Sequence, residues 1–158
     1  PIRIVLDPSA RVPIDSKLAR TAQTVPVWVV HSEQAPPNRL QALQERGVVL
    51  LPISGQGPIS IPSLLDRLGQ LGLTNLLVEG GGRVLGAFLD AGEIAAVQVF
   101  IAPLLEGGSH GFSPFRGTGV SLMSDALRLA RQEIQVLDGD VYVSGHVARS
   151  WLHSDDDA

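Results

Sequence analysis

Cysteine is absent from the 158 residues. That excludes disulfide scaffolds, thiol catalysis and cysteine-ligated zinc or iron–sulfur sites. It fits a reducing compartment, so a cytoplasmic protein is expected. Aromatic residues are scarce, at 4%, and the net charge is −4. The chain therefore lacks both the stacking platform and the basic surface that nucleic acids require, and none is expected as a partner. No run reaches the about 18 apolar residues of a membrane-spanning helix. The longest apolar stretches have strand length. No signal-peptide pattern is visible. The chain opens on Pro1 rather than Met, against a strand-like segment, and reads as a processed product or a piece of something longer. His31, His110, His146 and His153 lie far apart with no His-x-x-x-His pair, and Asp155 to Asp157 read as a solvated tail, so no metal site is expected.

What remains is apolar and patterned. Hydrophobic residues make up 44% of the chain, enough for the core of one domain. Strand-like runs stand at 2–7, 25–30, 48–53, 75–78 and 95–102. Between them, Pro36 and Pro37 open a helical segment that Gly47 ends. A second helix spans 60–71, with Leu64, Leu65, Leu68 and Leu71 on one face. A third spans 83–91, with Val84, Leu85 and Phe88 on one side. Residues 11–24 carry no clear period. Strands alternating with helices predict an α/β fold, with a mainly parallel central sheet and helices on both faces.

The end of the chain reads differently. Residues 104–120 form a loop with five glycines, among them Gly117 and Gly119. His110 sits there with Phe112, Phe115 and Arg116, as an exposed loop residue or part of a mobile lid. Residues 127–137 and 141–147 alternate in hydrophobicity around Asp138-Gly139, which predicts a C-terminal antiparallel hairpin on the sheet edge, with His146 structural within it. Trp151 is expected to pack back, before an acidic tail over 151–158. One domain over 1–150 is the expected organisation.

The segment from Leu76 to Leu85 is the most informative. A strand-like run ends at Glu79, Gly80-Gly81-Gly82 follow, and a helix begins at Arg83. Glycines let backbone amides approach a phosphate, and the helix start offers unpaired N–H donors. Arg83 is on the wrong end of the helix for its dipole, a conflict that a bound phosphate would remove. The competing reading is a tight turn with Glu79 capping the loop's own amides. The glycine spacing is neither the dinucleotide fingerprint of a Rossmann fold nor a P-loop. Asp7, at the end of the first strand, is read equally as a ligand contact or as the organiser of the turn at Pro8.

Three motifs in order complete the reading. Ile4-Val5-Leu6-Asp7 with Arg11-Val12-Pro13, Leu77-Val78-Glu79-Gly80-Gly81-Gly82, and Gln98 to Gly108 resemble the reductase domain of the bifunctional riboflavin-biosynthesis deaminase/reductase. The resemblance runs from Ile4 to Val147. It implies a dihydrofolate-reductase-like fold and NADPH-dependent reduction of the ribose of 5-amino-6-(5-phosphoribosylamino)uracil to a ribityl chain. By position, it implies that Glu79 contacts this phosphorylated ribosylaminopyrimidine substrate. It implies that Gly81, Gly82, Arg83, Val84, Leu85 and Gly86 cradle the cofactor pyrophosphate. In the family the turn after Asp7 also touches the cofactor; many members have Ser next, whereas here Pro8 follows and Ser9 takes the role. Arg11, Lys17 and Ser32 are positional candidates for the cofactor 2′-phosphate. Leu104 and Glu106 also depart from the family pattern. The family's upstream segment, which carries most substrate phosphate and ribose contacts, and its zinc deaminase domain have no counterpart in this sequence. No proton donor or other catalytic residue is identified. The family tends to dimerise, so a homodimer is expected. The alternatives are a non-catalytic dimerisation or assembly module derived from the reductase, and a phosphosugar-binding transferase that uses the glycine loop.

Overall fold

The structure, a computed structural model, describes residues 1–55, 57–105 and 113–148. The expected lid at His110, the motif at Glu106 to Gly108, the packing of Trp151 and the acidic tail lie outside the described residues. The chain divides into two compact units, Pro1–Leu76 and Leu77–Ala158.

The first unit contains β1 (Arg3–Leu6), α1 (Lys17–Arg20), β2 (Val27–Ser32), α2 (Pro37–Glu45), β3 (Val49–Ile53) and α3 (Ile61–Gln70). β2 is central and pairs in parallel with β1 and β3. Its β-branched run is the reason: Val27, Val29 and Val30 are all fully buried, as a strand covered on both faces requires. Val27 and Val29 pack with Ala22, Ala35, Leu43 and Val48 into the core. α2 stops at Gly47, whose φ of +84° allows the Val48 amide to reach back to the Leu43 carbonyl at 3.2 Å. Ser16 and Ser60 cap α1 and α3 by accepting from the amides of Ala19 and Ser63. α3 buries Ile61, Leu64 and Leu68. Leu71, expected on the same face, is exposed because the helix ends at Gln70.

The second unit contains α4 (Gly82–Asp90), β4 (Ala96–Ile101), a single 3-10 turn (Met123–Asp125), β5 (Leu129–Leu137) and β6 (Asp140–Val147). β6 lies between β4 and β5 and is antiparallel to both. Asp138 and Gly139 both take positive φ, 51° and 96°, and join Leu137 to Asp140 in the two-residue turn that Asp-Gly favours.

The expectation of one mainly parallel sheet is therefore met only over β1 to β3. β4 joins the hairpin in a separate antiparallel sheet, and β6 is a central strand rather than an edge. The run 75–78 forms no strand, and Leu77 is 75% exposed. The physical reason is that an apolar run asks to be paired or covered but does not name its partner or direction. Cross-strand neighbours Val99–Val143–Ile134 and Ile101–Val141–Val136 give the second sheet one aliphatic face. Ile134 and Val136 on that face are well exposed. Among the described residues no helix is long and apolar enough to cross a membrane.

Candidate functional site

α4 begins unlike the two serine-capped helices. Its N-cap is Gly81, and no side chain caps it. The Gly81 carbonyl accepts from the amides of Val84 and Leu85, at 2.9 and 3.3 Å. The amides of Gly82 and Arg83 have no protein acceptor among the described residues. α2 also lacks a side-chain cap, but there Pro37 brings no N–H to satisfy. In α4 the donors are present and the helix dipole adds its partial positive charge.

These donors border a concave site of about 620 Å³ lined by residues 80–85 and by Ser113, Pro114 and Arg116. The three glycines have different reasons to be glycine. A Cβ at Gly80 would stand 2.8 Å from Val84 Cβ, and one at Gly82 would stand 2.6 Å from the Ser113 carbonyl oxygen. Both are forced by packing. Gly81 is not: its φ is −69°, open to any residue, and a Cβ there would meet nothing within 4 Å. Neither conformation nor internal packing accounts for its missing side chain. Arg83 is exposed at the same helix start.

Glu79 is exposed, and its carboxylate takes no hydrogen bond from the glycine run among the described residues. The capping alternative is thus absent from the geometry. Gly86 lies one turn beyond Gly82 and is buried against the Arg116 carbonyl; it does not line the concavity. Gly81 to Leu85 are brought together at the site. Ser9 belongs to the first unit, exposed in the turn after β1.

Around that turn, Asp7 is an organiser. It is 5% exposed, and its carboxylate accepts from the Val12 amide at 2.7 Å and from Arg11 Nε at 3.5 Å. Arg39 donates to the carbonyls of Ala10 and Val12, both at 3.0 Å. Of the 2′-phosphate candidates, Ser32 is already engaged: it donates to the Pro8 carbonyl and accepts from the Gln34 amide. Arg11 and Lys17 remain exposed.

Sequence reasoning singled out Arg116 in the glycine-rich loop but did not set Ser113, Pro114 and Arg116 against the glycine run, and it missed the side chain that supports that wall. Asp90, at the end of α4, accepts from the amides of Thr118 at 2.8 Å and Gly119 at 3.0 Å. These two backbone bonds hold its carboxyl below the ordinary carboxylate range. The available signal was the spacing Gly82, Gly86, Asp90, three positions on one helix face, together with Gly117 and Gly119.

The fold and the concavity define an α/β protein with a glycine-opened, uncapped helix of the kind that receives an anion. The family model of the RibD C-terminal domain matches residues 1–143, and the chain belongs to that family. It is 32% identical over 143 residues to a 2,5-diamino-6-ribosylamino-4(3H)-pyrimidinone 5′-phosphate reductase of Methanothermobacter thermautotrophicus, covering 90% of this chain and 64% of that protein. It is 29% identical to the riboflavin biosynthesis protein RibD of Aquifex aeolicus, again over 90% of this chain but 38% of the relative. The chain thus spans less than two thirds of the length of these relatives. Among solved structures, RibD of Acinetobacter baumannii matches with a TM-score of 0.75 and 26% identity, covering 93% of this chain and 37% of that one.

Proposed function

We propose that this chain is the cofactor-binding part of an NADPH-dependent reductase of riboflavin biosynthesis, with a dihydrofolate-reductase-like arrangement. Gly81 carries the reading: it is a glycine with no internal need to be one, at an uncapped helix start, in a concavity beside Arg83. A pyrophosphate fits such a place, since it needs close backbone approach, free amides and positive charge. The amides of Gly82 and Arg83 would hold it, with the Arg83 guanidinium adding a full charge. Val84 and Leu85 would supply the apolar side of the site. In the first unit, Ser9 stands exposed in the turn that Asp7 and Arg39 hold in place, and its proposed role as a cofactor contact rests on the family resemblance alone.

When bound, NADPH supplies the hydride that reduces C1′ of the opened ribosylamine. The chain's own residues bind and orient. Glu79, exposed and unused by the glycine run, would accept hydrogen bonds from substrate hydroxyls. The substrate is a phosphorylated ribosylaminopyrimidine. The Methanothermobacter relative is named for the diaminopyrimidinone; the form carried over here is 5-amino-6-(5-phosphoribosylamino)uracil, which bears an oxygen in place of one amino group.

The aliphatic face of the second sheet supports a homodimer, because a monomer rarely leaves so continuous an apolar surface to water. That face also favours the second reading, a dimerisation or assembly module without turnover. The two separate in one experiment. The purified chain is titrated with NADPH and NADH by nicotinamide fluorescence and calorimetry, then assayed for NADPH oxidation with each pyrimidine. NADPH binding in preference to NADH is the expected result, and the oxidation assay then shows whether the cofactor-binding part turns over by itself. A stable dimer that binds neither nucleotide would replace this reading with the assembly module.

A further inference from the structure

The chain's second glycine-rich stretch has no part in the reading above, yet it is seated with unusual closeness. The Arg116 amide donates to the Gly82 carbonyl at 2.7 Å, and the Asp90 carboxylate takes the amides of Thr118 and Gly119. Gly82, Gly86 and Asp90 share one face of α4, so residues 113–119 run along that face. A Cβ at Gly86 would run into the Arg116 carbonyl, and one at Gly117 would run into the Asp90 carboxylate. Backbone therefore lies directly on backbone, with a carboxylate fastening the far end. The near end is the second wall of the concavity, Ser113, Pro114 and Arg116.

We infer that Asp90 is a positioning residue: it touches no ligand, but it fastens residues 113–119 to α4 and so fixes the wall that faces the glycine run. An anionic carboxylate is suited to this task, since charge-assisted bonds to amides are about twice as strong as neutral ones. The consequence for ligand affinity rests on the proposed nucleotide reading; the fastening itself does not. A wall left loose must be ordered by the ligand at the moment of binding, which lowers affinity without removing any contact.

The test compares wild type, Asp90→Asn and Asp90→Ala. Amide hydrogen exchange is read at Arg116, Thr118 and Gly119, and NADPH affinity by fluorescence titration. In Asp90→Ala the three amides lose protection together, and NADPH affinity falls by about tenfold. Asp90→Asn keeps one acceptor oxygen and recovers part of both effects, which also serves if the alanine variant folds poorly. Arg116 keeping its protection in Asp90→Ala would overturn the fastening. Lost protection with unchanged NADPH affinity would overturn the positioning role. If wild type binds no NADPH, the nucleotide reading falls, and exchange at Arg116 alone still decides the fastening.

Discussion

The two units solve the same problem of burying a sheet in opposite ways. In the first, the central strand is sealed: Val27, Val29 and Val30 are 0% exposed, and Leu43 of α2 closes over the same core. In the second, the sheet keeps aliphatic side chains in water, with Ile134 at 65% and Val136 at 72% exposure. The first unit closes its own core. The second carries the glycine-opened helix, the concavity and an apolar face that calls for a cover. The proposed pyrophosphate site and the unfinished burial share one unit, as expected where an element must meet a ligand or a second chain.

The largest effect should come from the sealed core. Leu43→Ala removes a fully buried side chain and should cost about 2–5 kcal/mol in denaturant unfolding. Next, Gly86→Ala should cost about 1–3 kcal/mol, because its Cβ has no room against the Arg116 backbone. Asp7→Ala should cost a similar about 1–3 kcal/mol by leaving the Val12 amide without its acceptor, and should loosen the turn that holds Ser9. At the other extreme, Val136→Thr should change monomer stability by no more than about 0.5 kcal/mol. A further loss that depends on protein concentration would show the face buried in the proposed homodimer, whereas a loss comparable to that of Leu43→Ala in the monomer itself would erase the contrast between the units.

The smallest effect is one of pH. The carboxyl of Asp90 is held low by the Thr118 and Gly119 amides, so its contribution is present above the ordinary carboxylate range and is lost as pH falls through its lowered pKa. Protection of those two amides should therefore persist in mild acid and disappear only below that range. Loss of protection already at neutral pH would contradict the hydrogen bonds.

Much of this was legible in the residues. The β-branched run of β2, Gly47 and Asp138-Gly139 state their structures locally, because each depends on a preference of the chain itself. The glycine run after Glu79 was legible for the same reason. The pairing of β4 with β6 was not, since direction is decided by tertiary competition that an apolar run does not encode. Leu77 shows the same limit: its segment has strand composition but no ladder. Asp90 escaped notice because its partners are backbone amides 28 and 29 residues away, which leave no mark on side-chain pattern.

The central claim is that Gly81 lacks a side chain for the sake of a ligand. A calorimetric titration of wild type and Gly81→Leu with NADPH tests it most directly, with thermal unfolding as the control. The account expects only the small unfolding shift that replacing an N-cap glycine brings, because a Cβ at Gly81 meets nothing within 4 Å, together with a fall in affinity of about tenfold or more. Equal affinity in the two proteins would contradict it, and the glycine run would then be a turn and nothing more.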